Sequence, residues 1–276
     1  MPGGRNRAER CGGWCGESEP VKPSDKPALY PSALWAEARR RGSSVRRGFA
    51  EGVMGVMAHN GRTGIGIADR LAALLGEDGC ANHSWPALAA RIENPHAMRD
   101  LADAAHLLCM LHARYPGVID HAADRTPQPA ARQWLYSAAA AFASERGYLT
   151  RLVVAVGPLP STPGQAQSEA VVTAQRHALA TLSQSDRAGT AFGAAMALAL
   201  DWPATRVILD AAADRVGLVP PPLDLPSFED SIETATALGD TPGFERAMGF
   251  GAEQLLAQHR GLWDLLESRA AARAEG

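Results

Sequence analysis

The segment "LADAAHLLCMLHARYPGVIDHAAD", residues 101–124, decides the fold class, because its apolar residues recur at intervals of three and four. This is the period of an amphipathic helix. The dipeptide Pro116-Gly117 then ends that helix. The segment also contains three histidines, His106 and His112 among them. It therefore predicts a helix and raises the question of a metal or catalytic site.

The same helical pattern continues through most of the chain. Helix starts are indicated by a small polar residue with a proline in the first turn, where the backbone N–H has no partner inside the helix. These signals are Ser84 and Pro86, Asn94 and Pro95, Thr126 and Pro127, Thr162 and Pro163, Asp201 and Pro203, and Thr241 and Pro242. We predict an all-α fold, a single globular bundle of about ten helices. The long helices are expected near 95–114, 129–156, 163–185 and 242–272.

The first 28 residues differ from the rest in composition. They are rich in Gly, Pro and charge and have little to bury, so residues 1–28 are predicted to be a disordered N-terminal tail. Residues 29–276 are predicted to form one all-helical domain. Cys11 and Cys15 lie in the tail with three residues between them, which does not match a zinc knuckle.

The overall composition argues against several classes of protein. The net charge is -3, and no basic stripe with interleaved aromatic residues is present, so no nucleic-acid partner is expected. No apolar run is long enough to cross a bilayer and no signal-peptide core follows Met1, so we expect no membrane association and a cytoplasmic protein. Four cysteines in 276 residues do not make a disulfide framework.

Three polar residues fall on faces that are otherwise apolar. Glu145 lies on the core face of its helix, and His112 and His259 lie on the core faces of theirs. A buried carboxylate is costly unless it is paired, hydrogen-bonded or bound to a metal. We therefore predict Glu145, His112 and His259 as the catalytic residues, with the two histidines as partners of Glu145. The structural alternative is an ion pair between Glu145 and Arg146 or Arg151.

Two further histidines are predicted to join this polar pocket as cofactor-binding residues. His106 lies on a narrow polar ribbon three residues after Asp103, with which it is expected to pair. His177 shares a side of its helix with Thr173 and Thr181, which indicates contact with water or a polar cleft. The pattern identifies neither the cofactor nor a metal, although iron and haem are both compatible with it.

Two metal or haem chemistries can be compared with these residues. A ferritin-like di-iron bundle uses Glu-x-x-His on two helices, whereas the Glu-x-x-His here is interrupted by a proline. A substitute ligand set would be Asp103, His106, Glu145, Glu169 and His177. The chain also has a faint similarity to haem-oxygenase-like bundles, in which His112 or His259 would face the glycines of "AGTAFGAAMALAL", residues 188–200. Helix packing explains those small residues equally well.

A third chemistry is prenyl diphosphate transfer. "DHAAD" (120–124) and "DAAAD" (210–214) place carboxylates four residues apart, and the second is faintly similar to an aspartate motif of squalene and phytoene synthases. Arg206, Asp210 and Asp214 also have the spacing of an ordinary solvated helix face. We predict that Asp210 and Asp214 are surface residues paired with Arg206.

One resemblance covers more of the chain. The stretches "LHARYPGVIDHAAD", "VAVGPLPSTPGQAQ" and "QRHALATLSQSDRAGTAFGAAMALALDW" resemble an uncharacterised all-helical family of proteobacterial proteins, classed as a domain of unknown function. The similarity would span about residues 33–272. It implies a stand-alone cytoplasmic protein and carries no activity that can be transferred to particular residues.

Two classes of function follow from these observations. The leading one is a metal-, haem- or small-molecule-binding bundle, with oxidoreductase chemistry as one option, in which the buried histidines and Glu145 are ligands or proton carriers. The alternative is a non-catalytic interaction or regulatory protein whose buried polar groups fix the helix register. A prenyl-diphosphate-dependent enzyme with two DxxxD motifs is a further alternative. The sequence does not indicate the oligomeric state.

Overall fold

The computed structural model describes residues 66–91, 96–239 and 241–275. Within these ranges the chain forms nine α-helices and one 3-10 turn, and no strand. The helices are α1 (Ile67–Asp78), α2 (Ser84–Ala89), α3 (Ala97–His112), α4 (Val118–Arg125), α5 (Pro129–Val156), α6 (Gln165–Ser183), α7 (Thr190–Val216), α8 (Phe228–Leu238) and α9 (Pro242–Ala274), with the 3-10 turn at Cys80–Asn82. The predicted all-α class is confirmed. These nine helices, or eight without the six-residue α2, compare with the about ten that were predicted for residues 29–276.

Some predicted features fall on residues that the structure does not describe. The disordered tail at 1–28 and the cysteines Cys11 and Cys15 lie outside the described ranges, as does the start signal at Asn94 and Pro95. The described residues therefore do not test these predictions.

Some helices begin or end at residues that local sequence signals predict. Thr241 precedes α9, and its Oγ1 accepts a hydrogen bond from the backbone N–H of Phe244 at 3.3 Å. At the other end of α7, Gly217 has φ +69°, a left-handed conformation that favours glycine. Such signals depend only on residues close in sequence, which is why they can be read without the fold.

The predicted helix start at Asp201 and Pro203 is wrong, because α7 continues through Pro203 without a break. Proline in a helix interior removes one backbone hydrogen bond and costs about 3 kcal/mol. The residues on both sides of it, Trp202 and Thr205 among them, are buried. Burial of the apolar helix on both sides of the proline outweighs that local cost.

The central element is α7, which is buried on almost all sides. Among the described helices, it alone is long and apolar enough to cross a membrane, with 27 residues and a mean hydropathy of 1.2 over the most apolar stretch. Of that stretch, 83 % is buried inside the fold. It packs most extensively against α9 and also against α3, α4 and α5. We therefore describe α7 as the core helix of a globular helical domain.

Glycines allow α7 and α9 to approach closely. A Cβ atom at Gly193 would overlap the carbonyl oxygen of Met248, and one at Gly251 would overlap the carbonyl oxygen of Thr190. The backbones of the two helices are thus in direct contact at two points. This contact accounts for the small residues of the 188–200 segment by helix packing.

Candidate functional site

Two of the predicted histidines meet in the core. His112 is the last residue of α3, and its Nε2 lies 3.0 Å from Nε2 of His259 in the middle of α9. The two residues are only 4 % and 1 % exposed. Their rings are nearly perpendicular, at 84°. We call these two residues the histidine pair.

Asp201, which the sequence did not identify as a site residue, is hydrogen-bonded to one of the two rings. Oδ2 of Asp201 lies 2.8 Å from Nδ1 of His259, and Oδ1 accepts from the backbone N–H of Cys80 at 2.7 Å. Because an ionised carboxylate can only accept, the hydrogen on this contact belongs to Nδ1 of His259. Asp201 was interpreted as a helix cap. Its position in the otherwise apolar stretch 191–202 was the signal of a buried carboxylate that needs a partner.

Aromatic rings enclose the other histidine. The ring centres of Trp202 and Phe142 lie 5.5 and 6.2 Å from that of His112, both in edge-to-face arrangements. Burial lowers the pKa of His112 well below its ordinary value, and the charge of His259 lowers it further. His112 is therefore a neutral imidazole at neutral pH.

Glu145 is buried as predicted, but its partners are not the predicted ones. Its carboxylate accepts from Nε1 of Trp202 at 2.7 Å and from Nη1 of Arg206 at 2.6 and 2.8 Å. The expected partners His112 and His259 bond to each other instead. The alternative partners Arg146 and Arg151 are wrong too. Helical periodicity shows that Glu145 lies on a buried helix face, but it does not show which helix packs against that face.

The pKa of Glu145 reflects two opposing influences. Burial raises it, while the Trp202 indole and the Arg206 guanidinium partly offset this by favouring the charged form. A carboxylate with an arginine and an indole N–H as donors is an ion pair with both oxygens satisfied. These contacts use the oxygens that a metal or substrate would need.

The Arg206 guanidinium connects this ion pair to the surface. Its Nε donates to Oδ1 of Asp210 at 2.9 Å, and the Tyr148 hydroxyl donates to the same oxygen at 2.9 Å. The Asp210 side chain is 45 % exposed, whereas that of Arg206 is 5 % exposed. The predicted pairing of Asp210 with Arg206 is confirmed, and Asp214 is exposed. The prediction that Arg206 lies on a solvated face is wrong, because its guanidinium points inward to Glu145.

The two predicted cofactor-binding histidines do not join the histidine pair. His106 is half-buried, and its Nε2 lies 2.8 Å from the carbonyl oxygen of Gly157. His177 is exposed on α6. The expected pair of Asp103 with His106 is not formed either, since Asp103 is fully buried and bonds to two arginines of α9.

These arginines form a second buried cluster at the end of α9. Arg269 donates from Nε and Nη2 to the two oxygens of Asp103, both at 2.8 Å. Arg273 donates to Asp103 at 2.6 Å and to Oδ1 of Asp100 at 2.8 Å. Two carboxylates thus face two guanidinium groups, and the cluster as a whole is close to neutral. It anchors the last two turns of α9 to α3.

One group of side chains in the described part of the chain has the spacing of metal ligands. His83, Asp264 and Glu267 place one ligand atom each within 4.8 Å of one another, and Nε2 of His83 lies 3.1 Å from Oδ1 of Asp264. However, Nδ1 of His83 accepts the backbone N–H of Trp85 as the cap of α2. The ring hydrogen is then on Nε2, the atom that a metal would need as a lone pair. The geometry therefore favours a helix cap with a surface hydrogen bond.

A shallow groove of about 500 Å³ lies between α3 and the segment after α5. It is lined by both polar and apolar atoms, from Met98, Arg99, Ala102, Val156, Pro158, Pro160 and Ser161. None of these residues belongs to the histidine pair or contacts Glu145. The groove is thus separate from the buried polar groups.

Comparison with known proteins gives a family but no activity. No curated protein and no solved structure matches the chain. A family of unknown function (DUF6975) matches residues 75–274, beginning later than the residue 33 expected from the sequence. This range includes both histidines of the pair and Glu145. Since it covers more than half of the 276 residues, the chain belongs to the DUF6975 family.

Proposed function

We propose that the protein is a non-catalytic helical protein that acts by interaction or regulation, and that its buried polar groups hold the helices in register. The observation that carries this proposal is that three buried carboxylates in the described part of the chain are each paired with a basic side chain of another helix. Glu145 faces Arg206, Asp103 faces Arg269, and Asp201 faces His259. These contacts join different helices, as expected of groups that specify packing.

The catalytic interpretation has less support. Substrate must reach a catalytic group, whereas both residues of the histidine pair are buried, and aromatic rings also pack against His112. The prenyl diphosphate alternative has a similar difficulty. Oδ2 of Asp120 accepts from Arg146 and from the N–H of Gly117, and Asp210 accepts from Arg206. These carboxylates already have partners within the protein.

Metal binding at the histidine pair is the second candidate, and one observation favours it. Metal-bound histidines commonly donate their other ring N–H to a carboxylate, as His259 does to Asp201. Two facing Nε2 atoms would supply two ligands. The group of ligand atoms found among the described residues, His83, Asp264 and Glu267, does not include this pair, so a third protein ligand is missing there.

Metal analysis and an absorption spectrum of the purified full chain test the proposal. We expect substoichiometric metal, no haem absorption, and a melting temperature that Zn²⁺ shifts equally in the natural protein and in His259→Gln. A stoichiometric metal or a chromophore that is lost in His112→Gln and His259→Gln would overturn it in favour of the second candidate. Glu169→Gln, on the exposed face of α6, serves as the control variant.

We also propose a cytoplasmic location. Cys80 and Cys109 are free thiols, which is usual in a reducing compartment. A small-molecule ligand and the absence of nucleic-acid and membrane partners stay predictions from the sequence. Fractionation of cells that express the tagged full chain would test the location, and recovery with the membrane fraction would contradict it.

A further inference from the structure

One wall of the groove beside α3 is a short proline-rich segment. Residues 157–162, "GPLPST", directly follow α5, and we call them the strap. Three residues that line the groove, Pro158, Pro160 and Ser161, belong to the strap. A proline ring fixes its own backbone angle φ and holds the residue before it in an extended conformation. The strap is therefore stiff because of its own sequence.

Polar contacts hold both ends of the strap. At its start, Nε2 of His106 on α3 donates to the carbonyl oxygen of Gly157 at 2.8 Å. At its end, Oγ1 of Thr162 accepts from Arg273 at 2.9 Å and from Arg269 at 3.3 Å. These arginines of α9 are the ones that bind Asp103 of α3, so both ends of the strap are linked to α3. The groove between α3 and the strap is thus formed before any ligand binds.

The opposite wall of the groove is the outer side of α3. Met98 is 41 % exposed there, and Ala102 lies one helical turn further along. The volume of about 500 Å³ is within the range of about 300–1,000 Å³ that is usual for small-molecule sites. The apolar side chains in the lining are Met98, Ala102, Val156, Pro158 and Pro160. This surface fits the apolar body of a small molecule.

Arg99 gives the groove a positive charge. Among the described residues that line the groove, it alone carries a charge. Arg99 is exposed, and it forms no ion pair in the described part of the chain. The carboxylates nearest to it in sequence, Asp100 and Asp103, are paired with the arginines of α9 instead. A guanidinium without a partner beside apolar walls complements a ligand with one negative charge and an apolar body.

We propose that this groove binds a small amphiphilic carboxylate of the medium-chain fatty acid class. Its carboxylate binds Arg99, whose planar guanidinium matches the two carboxylate oxygens, and its alkyl chain lies between α3 and the strap. His106 and Thr162 act as positioning residues, because they hold the strap and do not line the groove. The site goes beyond the proposed function and does not depend on it, since none of the buried carboxylates takes part in binding.

Calorimetric titration of the full chain with decanoate tests the proposal. We expect saturable binding with a Kd below about 1 mM. Decylamine has the same alkyl chain with a positive charge, and we expect it to bind at least about tenfold more weakly. The net charge of -3 would favour decylamine if the binding were unspecific. The comparison therefore separates recognition by Arg99 from general attraction to the protein.

Two variants locate the binding charge. Arg99→Gln should weaken decanoate binding at least about tenfold, because it removes a charge-assisted hydrogen bond. Arg132→Gln is the matched control, since Arg132 is also exposed without a described ion pair and lies in the first turn of α5, far from Val156 at its end. Equal affinity of the natural protein and Arg99→Gln, or no saturable binding up to about 1 mM decanoate, would overturn the proposal.

A second measurement needs no variant. Spectra of the natural protein with ¹³C-labelled methionine methyl groups report on Met98 in the groove and on Met196 and Met248, which are fully buried in α7 and α9. We expect decanoate to shift the Met98 signal and to leave the signals of Met196 and Met248 in place. An unchanged Met98 signal at saturation would contradict the proposal. None of these outcomes depends on the metal content that tests the proposed function.

Discussion

At Glu145 a carboxylate lies in an apolar core, 1 % exposed, with Arg206 and Trp202 as its donors. Glu145→Gln keeps the shape of the side chain and removes its charge. The Arg206 guanidinium would then be left buried with only the half-exposed Asp210 as a charged partner. We expect a loss of about 3 kcal/mol in the free energy of unfolding, measured by urea titration at neutral pH.

Two further variants make this expectation specific. Glu169→Gln removes an exposed carboxylate whose only described contact is with Gln165, and it should cost less than about 0.5 kcal/mol. The double variant Glu145→Gln and Arg206→Gln should cost less than the sum of the two single changes, because each removes the partner of the other. Additive costs would show that the two side chains do not interact as described.

At the scale of single helices, the sequence predicts those helix termini that depend only on residues close along the chain. The caps at Thr241 and Gly217 follow from local hydrogen bonding and backbone conformation, so both helix ends were predictable. The local signal at Pro203 was misleading, because the buried contacts around it come from distant parts of the chain. A proline after a polar residue therefore indicates a helix start only where burial does not favour continuation.

The glycine contacts between α7 and α9 give a prediction for these two elements. Gly193→Ala would place a methyl group on the carbonyl of Met248, where no flexible side chain can move away. We expect the helices to separate locally and the unfolding free energy to fall by at least 2 kcal/mol, within the range of overpacked cores. Thermal melts followed by circular dichroism would measure this.

Gly76 in α1 provides the matched control. It is an exposed helical glycine, and a Cβ atom there would meet nothing within 4 Å. Gly76→Ala should stabilise the protein by about 0.5–1 kcal/mol through helix propensity. If Gly193→Ala were as harmless as Gly76→Ala, the close approach of the two helices would be refuted.

For the whole molecule, the sequence was a better guide to which helix faces are buried than to which of these faces contact each other. The apolar period placed His112, Glu145 and His259 in the core, and all three are buried. It could not show that the histidines bond to each other, because that depends on how α3 docks on α9. Asp103 was misassigned to a polar ribbon for the same reason, since its partners lie more than 160 residues away.

The arginine cluster at the end of α9 predicts how the whole fold responds to truncation. A chain that ends at Ser268 lacks Arg269 and Arg273 and leaves Asp100 and Asp103 buried without these partners. The described ion-pair partners of Asp103 are these two arginines, and a buried carboxylate that loses its ion pairs costs several kcal/mol, against a typical total stability of about 5–15 kcal/mol. We expect loss of the cooperative thermal transition.

A chain that ends at Ala274 keeps both arginines and should melt like the full chain. In the chain that ends at Ser268, Asp103→Leu should restore part of the stability, because it removes the buried carboxylate that has lost both arginines. A normal melt of the chain that ends at Ser268 would mean that these ion pairs contribute little.

The contact of α7 with α9 also has a consequence for biosynthesis. The most apolar helix of the described fold leaves the ribosome before the helix that covers it most extensively. The 58 residues from Gly217 to Ala274 separate the end of α7 from the end of α9, which corresponds to about 3–12 s at usual rates of translation. During that interval the nascent chain exposes an apolar surface, so we expect α7 to be the segment that chaperones bind.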